Sequence, residues 1–265
     1  MTTYRTEALL ALLQICDSGF PSGSFIHSYG LETLVRERIV RTPAQLEAFV
    51  SSVLTSSVVP SDAVVARRAW LAAIEGDVEA IVAVDRALLR LKAAPELRGA
   101  ALATGRRLIE ETAPHIGSGR DESRPYEDGA WLLHEYAARI RAGATIGMHP
   151  VAFGVVSASL GVALDDVAPA LLQTTATALL QAAMRLLPVS HRDVQSILHR
   201  LRPQIAACTS DSESESGSLS AGGEGPALSL SKGGGRGFSG LACFHPLQEI
   251  ASMRHARAEA RLFAS

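Results

Sequence analysis

This chain of 265 residues has few cysteines, few aromatic residues and no large excess of either charge. The three cysteines (Cys16, Cys208 and Cys243) are far apart and form no C-x-x-C pair. This pattern argues against a disulfide scaffold or a zinc ribbon and favours a reducing, cytoplasmic compartment. Aromatic residues make up 5% of the chain and hydrophobic residues 47%, a balance that favours packed helices over a β-sandwich. The net charge of −2 predicts no electrostatic binding to nucleic acid.

The short motifs of common enzymes are missing as well. The chain contains no Gly-Lys dipeptide, and therefore no phosphate-binding loop of a GTPase. Neither H-E-x-x-H nor G-x-S-x-G occurs. The glycine-rich run at residues 233–237 follows no predicted strand, so it is not a dinucleotide-binding fingerprint. We therefore expect no catalysis by the chain itself and no resident cofactor.

Signals for the beginning and end of helices recur along the chain. Thr42-Pro43-Ala44-Gln45 combines a capping box with proline at the first helical position. Pro95 opens another predicted helix, which runs to about Ala113. A looser capping box at residues 190–193 begins a further helix, and Pro203 is expected to lie near its end.

The longest uncharged stretch, residues 142–164, has the length of a membrane span. It also contains His149-Pro150 and four glycines, which favours a buried helix over a membrane segment. No stretch alternates convincingly between apolar and polar residues. We predict an all-α protein, a single-domain helical bundle that does not associate with a membrane.

One long segment, residues 209–240, consists largely of serine and glycine. It has too little apolar surface to offset the entropy lost on ordering, and we predict a disordered linker. The linker divides the chain into a helical body (1–208) and a C-terminal tail (241–265). The tail has a helical pattern of apolar residues and arginines and should dock either on the chain's own core or on a partner. These residues are Ile250, Met253, Arg254, Arg261, Leu262 and Phe263.

The most informative segment is Asp17-Ser-Gly-Phe-Pro-Ser-Gly-Ser-Phe-Ile-His-Ser-Tyr-Gly-Leu-Glu32. Its pattern predicts the end of one helix, a tight Pro-Ser-Gly turn, and a second helix capped by Ser22 or Ser24. The glycines and small polar residues would allow another chain segment to approach closely. A plain structural corner in the core is the alternative interpretation.

Soft metal ligands come close together in the sequence only at Cys243-Phe244-His245. These two residues are weak candidates for a nickel site, and a thiol beside a surface histidine is the alternative. His27 and His149 lie among apolar and glycine residues, where ordinary core or interface histidines are expected. Cys16 lies in an apolar helix and is interpreted as a packing residue.

Residues 17–32 closely resemble the N-terminal signature of UreF proteins, D-x-x-F/L-P-x-G-S-x-x-H-S-x-G-L-E. Three further segments resemble the family in the same order along the chain: residues 153–161, 185–190 and 250–265. The last of these is similar to the closing pattern I-A-S-M-x-H-E-x-x-x-S-R-L-F-x-S. Each match is modest, but together they span nearly the whole chain outside the linker.

The resemblance implies a helical, dimeric accessory protein of urease maturation. Such a protein would bind UreD (also called UreH) and the nickel-carrying GTPase UreG. The assembly would deliver nickel to apo-urease, so that nickel is handled by the complex. A GTPase-activating effect on UreG belongs to this expectation, with Arg185 either supplying a guanidinium to the phosphates or serving as an interface arginine.

The resemblance also suggests which residues bind partners: Pro21, Gly23, Ser24, His27, Tyr29, Gly30, Glu32, Arg185, Ile250, Met253, Arg254, His255, Arg261, Leu262 and Phe263. Two other functions remain open. A generic helical scaffold would have no connection with urease. A metal-binding enzyme would hold His27, or Cys243 with His245, in a deep polar pocket.

Overall fold

A computed structural model describes residues 2–22, 28–117, 127–214 and 246–256, with only the backbone described at residues 2–4, 127–129, 208–214, 246–247 and 255–256. Over these ranges the chain forms α-helices and no strand, which confirms the predicted all-α fold. The helices are α1 (Thr2–Cys16), α2 (Leu31–Arg36), α3 (Pro43–Val53), α4 (Val64–Ile74), α5 (Val78–Leu91), α6 (Pro95–Thr112), α7 (Glu127–Arg141), α8 (His149–Ser159), α9 (Leu164–Leu186), α10 (His191–Ser214) and α11 (Pro246–Ala256).

Helices α3 and α4 form one continuous rod, joined by the π-helical segment Leu54–Ala63. The rod begins at the predicted capping box: the Thr42 hydroxyl accepts from the Gln45 amide, and the Gln45 side chain accepts from the Thr42 amide. Pro60 lies inside the π segment, where the wider helix reduces the clash of a proline ring with the preceding turn. By length and composition Pro43–Ile74 could cross a membrane, but 56% of its most apolar window is buried, as in a core helix.

Helix α8 is the buried helix predicted within residues 142–164. Every residue from Pro150 to Ala158 is buried. At Gly154 a Cβ atom would collide with the carbonyl oxygen of Ala66, so glycine allows α4 and α8 to touch through their backbones. Gly105 on α6 has the same role against Gly147 and His149, at the start of α8.

A buried carboxylate fixes the loop before α8. Asp85 on α5 is completely buried and accepts five hydrogen bonds. Three come from successive backbone amides, those of Ile146, Gly147 and Met148, at 3.0, 2.7 and 2.9 Å. The other two come from the hydroxyls of Tyr136 and Thr145, at 3.1 and 2.9 Å. We call these six residues the Asp85 cluster; the carboxylate fills an anion-binding concavity of the backbone.

The hydrophobic core has two parts. The first joins α4, α5, α6, α7 and α8, while the second joins α2, α3, the π segment, α9 and α10. Helix α9 contributes to both, through Leu171 to the first and Leu172 to the second. Ala251 of α11 also belongs to the second part, so the C-terminal helix is continuous with the core of the body.

The predicted end of one helix was wrong. Helix α10 does not end near Pro203 but runs to Ser214, into the first residues of the predicted linker. Contacts with α3 hold the helix on both sides of this proline: Arg200 pairs with Glu47 at 2.8 Å, and Gln204 accepts from Ser51 at 2.9 Å. The rest of the predicted linker, residues 215–240, lies outside the described residues.

Candidate partner-binding site

The signature segment begins as a hydrogen-bonded turn after α1. The Asp17 carboxylate accepts from the Gly19 amide at 2.6 Å, and the Asp17 carbonyl accepts from the Phe20 amide at 3.0 Å. Phe20 packs against the first part of the core, whereas Pro21 is exposed. Gly23, Ser24 and His27, three of the predicted partner-binding residues, lie outside the described residues.

The second half of the segment contains two residues with left-handed backbone conformation, Tyr29 with φ of 50° and Gly30 with φ of 84°. They turn the chain into α2, which begins only at Leu31 and has Gly30 as its N-cap, without a side-chain hydrogen bond. The predicted capping by Ser22 or Ser24 is therefore wrong, because the left-handed pair places the start of the helix several residues later. Glu32, in the first turn of α2, is buried.

Gly30 lies directly beneath the C-terminal helix α11. A Cβ atom at this position would be 2.9 Å from the carbonyl oxygen of Gln248, 3.0 Å from Cβ of Ala251 and 3.1 Å from the amide nitrogen of Ser252. The close approach expected from the glycines of the signature thus occurs within the chain itself. The first and last family-like segments meet at this point.

Helix α11 packs on α2 and α6 and has two contrasting faces. Its inner face is formed by Gln248, Ala251 and Ser252, each 2% exposed. Its outer face presents Ile250 and Met253, which are 49% and 38% exposed. We predicted that the tail docks either on the chain's own core or on a partner. The buried inner face shows that α11 docks on the core, while the outer face remains accessible.

Polar groups at the contact between α2 and α11 are incompletely satisfied. The buried hydroxyls of Thr33 on α2 and Ser252 on α11 have no hydrogen-bond partner among the described residues. At the edge of the contact, Arg254 pairs with Glu37 at 3.0 Å, with 61% and 35% of the two side chains exposed. Buried polar groups without a hydrogen bond weaken an interface, so we expect α11 to detach more easily than the rest of the second core.

A buried ion pair lies beside the signature segment. The ammonium group of Lys92 is 2.8 Å from one carboxylate oxygen of Asp62 and 3.0 Å from the other, and Ser61 donates to the same carboxylate. Burial raises the pKa of the Tyr29 phenol, and the charge of Lys92 opposes this shift. The sequence offered one unused signal for this pair: Lys92 is the single lysine between residues 1 and 231.

The remaining predicted residues are distributed as follows. Arg185 is exposed in the last turn of α9, where a cation interacts favourably with the helix dipole. His255 is described by its backbone alone, and Arg261, Leu262 and Phe263 lie outside the described residues. Of the predicted residues, the structure therefore places Gly30 directly against α11, the helix that also carries Ile250, Met253 and Arg254.

Little in the described chain resembles a catalytic or metal centre. No group of three or more histidine, cysteine or acidic side chains within these ranges could hold a metal ion. Cys243 and His245 fall outside them. His149 lies against the ring of Phe153 with centroids 6.0 Å apart, and burial raises the pKa of Cys16. A cleft of about 340 Å³ between α6 and α7 contains none of the histidines or cysteines singled out from the sequence.

Comparison with known proteins gives a consistent result. The family model named UreF matches residues 40–202. The chain belongs to the UreF family. It is 28% identical to the urease accessory protein UreF of Bacillus sp. (strain TB-90), over 97% of this chain and 99% of the relative. Proteins of the same name from Paenarthrobacter aurescens (strain TC1) and Arthrobacter sp. (strain FB24) are 29% and 31% identical, each over 97% of this chain and 97% and 96% of the relative.

Proposed function

We propose that this UreF-family chain is an accessory protein of urease maturation rather than an enzyme. It acts as an adaptor that binds UreD (UreH) and the GTPase UreG, and couples GTP hydrolysis in UreG to nickel delivery into apo-urease. The observation that carries this proposal is the near full-length similarity to relatives named urease accessory protein UreF. The chain needs no cofactor of its own in this role, since the complex handles the nickel.

The outer face of α11 is the proposed UreD-binding element. Ile250 and Met253 are two of the few large hydrophobic side chains left exposed in the described residues. Complete burial of such a side chain contributes roughly 1.5–3 kcal/mol before ordering costs. Arg254 lies beside them, and its ion pair with Glu37 can be exchanged for a carboxylate of the partner.

UreG is the proposed target of Arg185. Its exposure at the end of α9 allows a second protein to reach it. A guanidinium supplied to the phosphates of a bound nucleotide stabilises the transition state of phosphoryl transfer. If Arg185 only contributes to the interface, Arg185→Lys should keep both UreG binding and the GTPase rate. If it reaches the phosphates, the same substitution should keep binding and lower the GTPase rate.

Three further features complete the proposal: a homodimer within the larger complex, a cytoplasmic location, and nickel transfer that involves no obligatory site in this subunit. Replacing Cys243 and His245 together by serine and asparagine tests the last feature. Urease activation should be retained at the wild-type level. A loss of activation, together with lower nickel binding by the isolated chain, would show that nickel passes through this subunit.

Urease activation in cells lacking this chain provides the main test. The wild type should restore activation, and the doubly substituted protein Ile250→Glu/Met253→Glu should not, with loss of UreD binding in a pull-down. Leu71→Glu is the control, since Leu71 on α4 is also 39% exposed but lies on another helix. Activation that does not depend on the chain would favour the generic helical scaffold instead.

A further inference from the structure

The turn between α2 and α3, residues 36–41, combines two locally unfavourable choices. Helix α2 ends in a Schellman motif: the Ile39 amide donates to the Leu34 carbonyl at 2.8 Å, and the Arg38 amide donates to the Val35 carbonyl at 3.0 Å. This motif places Arg38 in the left-handed region, with φ of 60°, where glycine is the favoured residue. Stability alone does not favour an arginine here.

Ile39 is the second such choice. The residue after the left-handed position of a Schellman motif commonly packs back against the helix. The Ile39 side chain is instead 44% exposed, while its neighbour Val40 is 3% exposed and belongs to the second part of the core. The turn thus presents a large apolar side chain to solvent although a buried position lies one residue away.

An ion pair connects the turn to α11. The ion pair between Glu37 and Arg254, at 3.0 Å, joins the end of α2 to α11. Ile250 lies one helical turn before Arg254 and Met253 directly precedes it, while Ile39 follows Glu37 by two residues. Three of the seven large hydrophobic side chains that are exposed in the described chain therefore belong to residues within four positions of Glu37 or Arg254: Ile39, Ile250 and Met253.

The turn carries three arginines and one acidic residue. Arg36, Arg38 and Arg41 are exposed, and within the described chain none of their guanidinium groups makes a side-chain hydrogen bond or ion pair. Glu37 is the acidic residue of the turn, and Arg254 neutralises it. An apolar centre with unpaired arginines at its rim is typical of a protein interface and complements an acidic surface.

We propose that Arg36, Arg38, Ile39 and Arg41 extend the outer face of α11 into one docking surface for an acidic face of a partner protein. This inference rests on the proposed function, because the partner is one of the three proteins named there: UreD, UreG or apo-urease. Arg38 and Ile39 are specificity-determining residues in this arrangement. Their unfavourable placement in the isolated chain is offset when the partner's carboxylates and apolar groups cover them.

Arg38→Gly in the full-length chain separates docking from folding, because the two effects have opposite signs. Glycine relieves the left-handed strain, so the Tm should be unchanged or higher. Binding to one of UreD, UreG or apo-urease should weaken by about tenfold, with a smaller dependence on salt than in the wild type.

Ile39→Asp should weaken binding to the same partner at least as much. Arg202→Gly, an exposed arginine of α10, and Leu71→Asp are the matched controls and should bind normally.

Calorimetric titrations with each partner distinguish the possible failures. If Arg38→Gly and Ile39→Asp lose binding only to UreG or only to apo-urease, the docking surface is supported. The assignment of the outer face of α11 to UreD is then overturned. If Ile250→Glu abolishes UreD binding while Arg38→Gly and Ile39→Asp bind all three proteins as the wild type does, the docking surface is overturned and the proposed function stands. Equal losses in the two controls, or tighter binding to anionic vesicles or DNA than to any of the three proteins, would also overturn it.

Discussion

The Asp85 cluster and the α2–α11 contact are both buried, but they differ in how completely their polar groups are satisfied. In the cluster, one carboxylate accepts five hydrogen bonds and fixes the loop before α8. On the two packed helices α2 and α11, the hydroxyls of Thr33 and Ser252 are buried without a hydrogen-bond partner among the described residues. A satisfied polar network makes a structure rigid, whereas an unsatisfied one leaves it easier to open. We infer that the first region is a rigid scaffold and that the second opens more easily.

The largest effect should come from the Asp85 cluster. Asp85→Ala leaves three backbone amides and two hydroxyls buried without an acceptor, which should lower the free energy of unfolding by about 4 kcal/mol or more. Urea denaturation measures this change. Asp85→Asn, which keeps the shape and one acceptor oxygen, should lose clearly less. Equal and small losses in both variants would mean that the cluster is not the scaffold we describe.

Gly30→Ala should have the next largest effect and should act locally. The left-handed backbone conformation costs about 1–2 kcal/mol for a residue with a side chain, and the new Cβ also collides with α11. Gly76→Ala is the matched control, because Gly76 has φ of 70° but no atom within 4 Å of the added Cβ. Amide hydrogen exchange should show faster exchange at residues 246–256 in Gly30→Ala alone. Similar exchange in both variants would contradict the proposed contact between α2 and α11.

The same substitution in the two regions should have opposite signs. Thr145→Val removes a hydroxyl that donates to Asp85 and should destabilise the fold by about 1–2 kcal/mol. Thr33→Val replaces a buried hydroxyl that has no partner and should stabilise it by about 0.5–1 kcal/mol. Thermal denaturation compares the two variants directly. A loss of stability in Thr33→Val would show that this hydroxyl is better accommodated than the contact suggests.

The smallest effect is a pH dependence confined to the Asp85 cluster. Burial, then the charge of Asp85 and the hydrogen bond to it, hold the pKa of Tyr136 well above its ordinary value of 10.0. The folded protein therefore retains a proton that the unfolded chain releases, so this contribution is complete below pH 10 and is lost as the pH rises further. At half a pH unit above that value the loss should be roughly 0.8 kcal/mol at most. Tyr136→Phe should flatten the decline above pH 10, and an unchanged slope would contradict this origin.

Local signals in the sequence predicted several elements correctly. The capping box at Thr42, the helix from Pro95 and the buried helix α8 all follow from residues within one or two helical turns. The end of α10 was not predictable in this way, because its contacts with Glu47 and Ser51 on α3 sustain the helix through Pro203. The start of α2 was missed because a left-handed tyrosine is too rare to expect from sequence.

For the candidate site, the sequence alone identified the family, the all-α fold class and the two end segments that carry the resemblance. These depend on residue order and on periodicity, which are properties of the chain as written. Only the tertiary structure decided that Gly30 lies against α11, that Ile250 and Met253 face outward, and that an ion pair joins α11 to the turn that carries Arg38 and Ile39. These facts depend on contacts between residues more than 200 positions apart, and local sequence patterns do not specify such long-range contacts.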